Sequence, residues 1–221
     1  MPMLVNPGSM PNKGMVKNVN VIGLTGGVGA GKSLVLSILR MKYNAEVIEA
    51  DKVAHELMTL GEEGYLRMKE AFGEAILNFD GTIDRTQLGK VIFENEFARE
   101  QVNSIIHPLV WKRIRQKISA SQAGLIVVEF AIMGEEAEDI YDEMWYVRAS
   151  EEIRIRRLSE NRGYTKEHSE KMIRSQASEQ EYARRCDRII ENSGSITDLE
   201  NQMAEILETG DRKRYETGKH C

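Results

Sequence analysis

Gly26-Gly-Val-Gly-Ala-Gly-Lys-Ser33 lies between an apolar, β-branched run (Val19, Val21, Ile22, Leu24) and the helix-like segment Leu34-Val-Leu-Ser-Ile-Leu-Arg40. The octapeptide fits the pattern G-x-x-x-x-G-K-[ST]. Strand, loop, helix is the setting in which that pattern has a physical meaning. Glycines let the backbone wrap closely round an anion and aim its N–H groups inward. The start of the following helix adds a field that favours negative charge. Lys32 can then reach the outer phosphates of a nucleotide, and the Ser33 hydroxyl can join a Mg²⁺ shell. A glycine-rich turn without a ligand is the bland alternative, and it leaves Lys-Ser at a helix start unexplained.

Outward from the loop, short apolar runs alternate with helical patterns. The runs are Ala45-Glu-Val-Ile48, Leu125-Ile-Val-Val128, Met144-Trp-Tyr-Val147 and Arg188-Ile-Ile190. Each is brief and bounded by polar residues, as buried parallel strands are. The alternation predicts a doubly wound, mainly parallel, five-stranded α/β sheet with its ligand beyond the carboxyl ends of the strands. The gap between the second and third runs is too long for one crossover. Asp84 with Gln87 reads as a helix-capping pair, and Val102, Ile105, Ile106 and Leu109 have amphipathic spacing. His107-Pro108 reads as a hinge, with proline in the first turn of a helix. Residues 150–186 are helical and charged, interrupted at Gly163, and Ser195 opens a last helix running to about residue 208. Residues 1–16 are an N-terminal extension or tag, expected to be disordered, and the polar tail 210–221 is expected to fray. Trp111, Trp145 and Phe93 read as core or interface packing.

The residues after the strands carry the chemistry. Asp51 closes the second strand in Val47-Ile-Glu-Ala-Asp51, where a carboxylate can orient a hydroxyl and accept its proton. It reads equally as the N-cap of a helix beginning at Lys52. Glu49 is a supporting carboxylate or the base itself. Glu129, ending the Leu125 strand, is placed to hold Mg²⁺ directly or through water, the other reading being a surface glutamate. Arg154, Arg157 and Arg162 can clamp phosphates with forked donors, or lie on a solvated helix face.

A chain of 221 residues with net charge −5 lacks the basic face that broad nucleic-acid binding needs. No apolar run approaches the roughly 20 residues that span a bilayer, and no leader pattern opens the chain. Cys186 and Cys221 have neither metal nor disulfide spacing, which favours a reducing, cytoplasmic setting.

Taken in order, several segments resemble the dephospho-coenzyme A kinases over roughly residues 20 to 205. They are Ile22 through Ser33, Val47 through Asp51, Phe72-Gly73, Asp80-Gly-Thr-Ile-Asp-Arg85, Val91-Ile-Phe93, His107-Pro108, Arg157-Leu158, Gln176 and Asp187 through Gly194. The resemblance implies a P-loop NTPase-type core at 17–60, 121–150 and 183–209. It also implies a helical substrate domain at 61–120 and a helical lid at 151–182. ATP with Mg²⁺ would phosphorylate the ribose 3′-hydroxyl of dephospho-coenzyme A, the last step of coenzyme A synthesis. Asp51, Lys32 and Arg157 would be catalytic. Gly26, Gly27, Val28, Gly29, Ala30, Gly31, Lys32, Ser33, Leu34 and Asn192 would bind the nucleotide, and Ser33 and Glu129 the metal. Asp51, Arg85, His107 and Glu129 would meet the acceptor. The expected partner is a small molecule, with no nucleic acid or membrane, and the chain is a monomer or weak homo-oligomer. Departures from the family pattern are Glu49 for aspartate, Leu34 for threonine, Ala131 for proline, Gly134 for an aromatic residue, Asn161-Arg162 for Arg-Asp and Tyr182 for lysine. A different nucleoside or nucleotide kinase, or an ATP-binding regulator without turnover, are the rival readings. A GTPase is disfavoured by the lack of an Asn-Lys-x-Asp motif.

Overall fold

The computed structural model describes residues 20–130 and 139–217. The expectations placed on residues 1–16, Ala131, Gly134 and Cys221 lie outside the described residues. Among the described residues five strands form one sheet: β1 (Asn20–Gly26), β2 (Glu46–Glu49), β3 (Leu125–Glu129), β4 (Glu143–Arg148) and β5 (Arg188–Glu191). Their spatial order is β2-β3-β1-β4-β5, and every neighbouring pair is parallel. The sheet predicted from the alternation of runs is therefore present, with strand ends shifted by one or two residues. Because β1 is flanked by β3 on one side and β4 on the other, the strand order switches at its end, where such sheets open a crevice.

The two sheet faces bury different residues. Ile22, Leu24, Val127, Trp145, Val147 and Ile190 pack against α1 (Lys32–Tyr43) and α9 (Ile196–Thr217) through Val35, Leu39, Leu199 and Met203. Val21, Ile48, Ile126, Val128 and Met144 point the other way. They meet α2 (Ala50–Leu57), α3 (Glu63–Phe72), α4 (Arg85–Glu94) and α5 (Glu96–Ala120). Asp84 caps α4 by accepting from Thr86 and Gln87 amides, as its sequence position suggests. Three further helices, α6 (Glu151–Arg162), α7 (Lys166–Arg174) and α8 (Glu179–Arg185), lie between β4 and β5 in the chain. Gly163 ends α6 in a left-handed conformation, φ 67°, and a Ser178–Glu181 capping box opens α8.

Several local expectations are corrected. Pro108 does not start a helix; it sits inside the 25-residue α5. Burial of Ile106, Leu109, Val110, Trp111 and Ile114 along that helix outweighs the backbone bond that proline removes. Phe93 is exposed, not core, whereas Trp111 and Trp145 are buried. The last helix continues to Thr217 rather than ending near 208, in keeping with the good helix formers Arg, Lys and Glu in that stretch. Cys186 is half-buried, and burial pushes its thiol up to about 12, so it stays an inert thiol.

Candidate active site

The loop after β1 turns twice through left-handed glycines, Gly29 at φ 76° and Gly31 at φ 90°, before α1 begins at Lys32. Side chains at these positions would also have to displace their neighbours. A Cβ on Gly31 would lie 2.2 Å from Asn192 Nδ2, and one on Gly27 2.4 Å from Arg154 Nη2. Within the loop the Ala30 amide donates to the Gly27 carbonyl at 3.1 Å. The amides of Gly29, Gly31, Lys32 and Ser33 make no hydrogen bond among the described residues. These four are unspent donors at a helix N-terminus, the arrangement that receives a phosphate.

A cleft of about 750 Å³ opens over the carboxyl ends of β1, β2 and β3. It is lined by Gly27, Val28, Gly29, Gly31, Lys32, Ser33 and Leu34 from the loop side, and by Glu49, Asp51 and Glu129 opposite. Leu36, Arg157, Leu158, Asn161, Arg162, Gln176 and Asn192 complete the wall. Of the expected nucleotide residues, Gly26 and Ala30 sit behind the lining. The Gly26 carbonyl accepts from Lys32 Nζ at 2.9 Å, and the Ala30 carbonyl accepts from Arg157 Nη1 and Asn192 Nδ2. Arg157 Nη2 also donates to the Asn192 carbonyl at 2.9 Å. Arg157 thus ties the loop to the end of β5 while facing the cleft.

Three carboxylates meet at the strand ends, and their partners separate them. Glu49 and Glu129 are register partners. Partial burial pushes Glu49 up, but hydrogen bonds from Lys52 and Arg40 outweigh it and hold the carboxyl below its usual range. Burial pushes Glu129 up; the Lys32 ammonium, 3.5 Å away, pulls it back, and the charges of Asp51 and Glu49 push it up further. Asp51 does not close β2. That strand ends at Glu49, and Asp51 is the second residue of α2. Glu49 occupies the N-cap position, so the capping role considered for Asp51 falls away. The Asp51 side chain makes no hydrogen bond or ion pair among the described residues, which leaves its oxygens available to a ligand hydroxyl.

Two expected acceptor residues stand apart. Arg85 lines a separate cavity of about 260 Å³ with His55, Met58, Thr59, Leu60, Thr82 and Ile83. His107 lies on α5 and is in neither lining set. Arg154, considered as a phosphate clamp, is instead buried behind the loop, donating to the Val28 carbonyl and to Gln176. Asn161 and Gln176 line the cleft without having been assigned a role there; Gln176 stood only as a match to the family pattern and Asn161 only as a departure from it.

The family model for dephospho-CoA kinase, CoaE, matches residues 20–198. The chain belongs to the dephospho-CoA kinase family. Members of that family from Carboxydothermus hydrogenoformans and Bacillus licheniformis are 37% and 36% identical to it. The matches cover 85% and 86% of this chain and 93% and 96% of theirs. Among solved structures, TT1252 from Thermus thermophilus superposes with a TM-score of 0.74 at 28% identity, covering 87% of this chain and 98% of that one. The dephospho-CoA kinase from Campylobacter jejuni, at 22% identity, shares the fold with a TM-score of 0.65 over 88% of this chain and 98% of its own. As a member of the dephospho-CoA kinase family, the chain is an ATP-dependent kinase, and the resemblance drawn from its motifs is borne out.

Proposed function

We propose that this chain transfers the γ-phosphoryl group of ATP to the ribose 3′-hydroxyl of dephospho-coenzyme A, with Asp51 as the base. The observation that carries the assignment is one cleft lined by the loop whose amides at the start of α1 are unspent, and by the Asp51 carboxylate, which has no hydrogen bond or ion pair among the described residues. Phosphate oxygens would take the amides of Gly29, Gly31, Lys32 and Ser33. Lys32 would leave the Gly26 carbonyl for the outer phosphates. The attacking 3′-oxygen forms a bond to the γ-phosphorus as the bond to the bridging oxygen breaks and ADP departs. Its proton goes to Asp51 and on to water. Arg157, already held by two carbonyls, adds fixed positive charge at the cleft wall.

Mg²⁺ fits this donor set. Among the described residues no cluster of three or more His, Cys, Asp or Glu side chains forms a cage. Ser33 and Glu129 offer hard oxygen donors at the cleft. Mg²⁺ characteristically takes one or two such ligands and completes its shell from substrate phosphates and water. When bound, it would neutralise charge on the phosphates. In this reading residues 17–60, 121–150 and 183–209 are the nucleotide core, 61–120 the acceptor domain and 151–182 the lid. Arg85, with His55 beside it, supports a polar acceptor-binding role for its own cavity. Two cysteines without disulfide spacing support a reducing, cytoplasmic setting.

The test is ADP release with ATP·Mg²⁺ and dephospho-coenzyme A, run beside AMP, dTMP and adenosine. Turnover confined to dephospho-coenzyme A and lost in Lys32→Ala is the expected result. Turnover on another acceptor would overturn the substrate, and nucleotide binding without turnover would overturn catalysis.

A further inference from the structure

Gln176 lies in the connection between α7 and α8. Its Oε1 accepts two hydrogen bonds, from the Val28 amide at 2.8 Å and from Arg154 Nη2 at 3.0 Å. Arg154 Nε in turn donates to the Val28 carbonyl at 2.8 Å. Both backbone groups of the loop's apical valine are thereby held by a closed ring drawn from three distant segments. Arg154 as a residue is 7% exposed, and its guanidinium lies against Gly27.

The ring takes up the Val28 amide, which is therefore not among the loop's unspent donors. The unspent donors are Gly29, Gly31, Lys32 and Ser33, while Ala30 is satisfied inside the loop. An empty cradle must hold several N–H dipoles pointing together, and a loop left to relax would lose that arrangement. Fixing its apex in advance removes an ordering cost from nucleotide binding. The tether comes from the same chain segment that carries α7 and α8, so loop geometry and the placement of that segment are set together.

We propose that Gln176 is a positioning residue: its Oε1 latches the α7–α8 connection onto the phosphate loop through Val28 and Arg154, preorganising the loop for ATP. This rests on reading the loop as the ATP site. The role needs an acceptor only. Glutamate, an acceptor of the same length beside a guanidinium, serves in place of glutamine; methionine, similar in length but a poor acceptor, does not.

The test uses the full chain as wild type, Gln176→Met, Gln176→Glu, Arg154→Met and the Gln176→Met/Arg154→Met double variant. Affinity for a non-hydrolysed ATP analogue with Mg²⁺ is measured by calorimetry without acceptor, together with both KM values and hydrogen exchange at residues 27–29. Gln176→Met is expected to weaken nucleotide binding and raise the ATP KM about tenfold. It should leave the dephospho-coenzyme A KM within about twofold and speed exchange at the loop apex. Gln176→Glu restores affinity to within about threefold, and the double variant is no worse than the poorer single one, because the ring opens only once. Equal losses in both KM values would overturn the proposal in favour of a merely structural role. So would a Gln176→Glu variant as weak as Gln176→Met, which would mean that the amide donor matters. Additive effects in the double variant would also overturn it. Failure of the wild type to bind nucleotide, and that result alone, would overturn the ATP-site reading beneath it. If Gln176→Met does not fold, Gln176→Leu, which also lacks an acceptor, makes the same comparison.

Discussion

Asp51, Glu49 and Glu129 show how three carboxylates at neighbouring strand ends acquire different uses. Glu49 is committed to Arg40 and Lys52, Glu129 faces Lys32, and Asp51 is left without a hydrogen bond or ion pair among the described residues. A base needs an uncommitted oxygen, and the Asp51 carboxylate in the cleft lining offers one among the described residues. Asp51→Asn keeps the shape and removes the basicity, so kcat should fall about 10²- to 10⁴-fold while the ATP KM changes little. Steady-state ADP release measures both, and turnover within a few-fold of wild type would remove Asp51 as the base. Glu129 gives a pH prediction. Its ordinary value is 4.5, and burial raises it in the folded chain. Between those two values the native state holds more protons than the unfolded chain, so the contribution of Glu129 to stability falls as pH rises through that window. Thermal melts of the nucleotide-free protein should therefore show Glu129→Gln gaining on wild type from about pH 4.5 upward, then levelling above the folded value. A difference between the two that is constant with pH would contradict the shift.

At the scale of elements, α8 is held to the sheet by one aromatic contact that the sequence presents only as a departure. Tyr182 of α8 stacks on Tyr146 of β4 with ring centroids 4.7 Å apart and planes 7° from parallel, and both rings are buried. Truncation should cost the burial and the stack together. Tyr182→Ala is expected to lose about 3 kcal/mol in urea unfolding and Tyr182→Phe under about 1 kcal/mol. A loss under about 1 kcal/mol for the alanine variant would mean that α8 docks by other means. What was legible in the chain divides along the same physical line. The phosphate loop and the five strands could be read because their signals are local: glycines at left-handed positions, short apolar runs, polar boundaries. Pro108 was misread because its local preference is opposed by the buried face of α5, which only the assembled fold supplies. Arg154 and Arg157 lie three apart on one helix and look alike in sequence. The fold alone decides that one packs behind the loop and the other faces the cleft. Asp51 lines the expected cleft but belongs to another element, because β2 stops at Glu49, two residues before it.

For the whole molecule, the question is which part moves when both substrates are present. Phosphoryl transfer requires water to be kept from the transferring group, and closure of a helical segment is the usual means. The first half of α6 is poorly suited to move. Arg154 and Arg157 bond to loop carbonyls, Leu158 is buried, and Ser150 holds the helix start. Asn161 and Arg162 line the same cleft beyond that anchored stretch, and Gly163 follows at φ 67°. Movement within 151–182 is therefore expected to begin after Leu158, carrying Arg162 and α7 over the phosphates. Hydrogen exchange on the full chain separates the two halves. Residues 151–158 should be protected with or without ligands. Residues 162–174 should gain protection only with dephospho-coenzyme A and a non-hydrolysed ATP analogue together. At a hundredfold excess over its Kd, the analogue alone should add about 2.7 kcal/mol of stability, a rise in Tm of about 5–10 °C. Nucleotide binding is thus read apart from closure. Stabilisation without new protection at 162–174 in the ternary complex would leave the kinase with a fixed, open cleft, and the exclusion of water would then have to come from the acceptor itself.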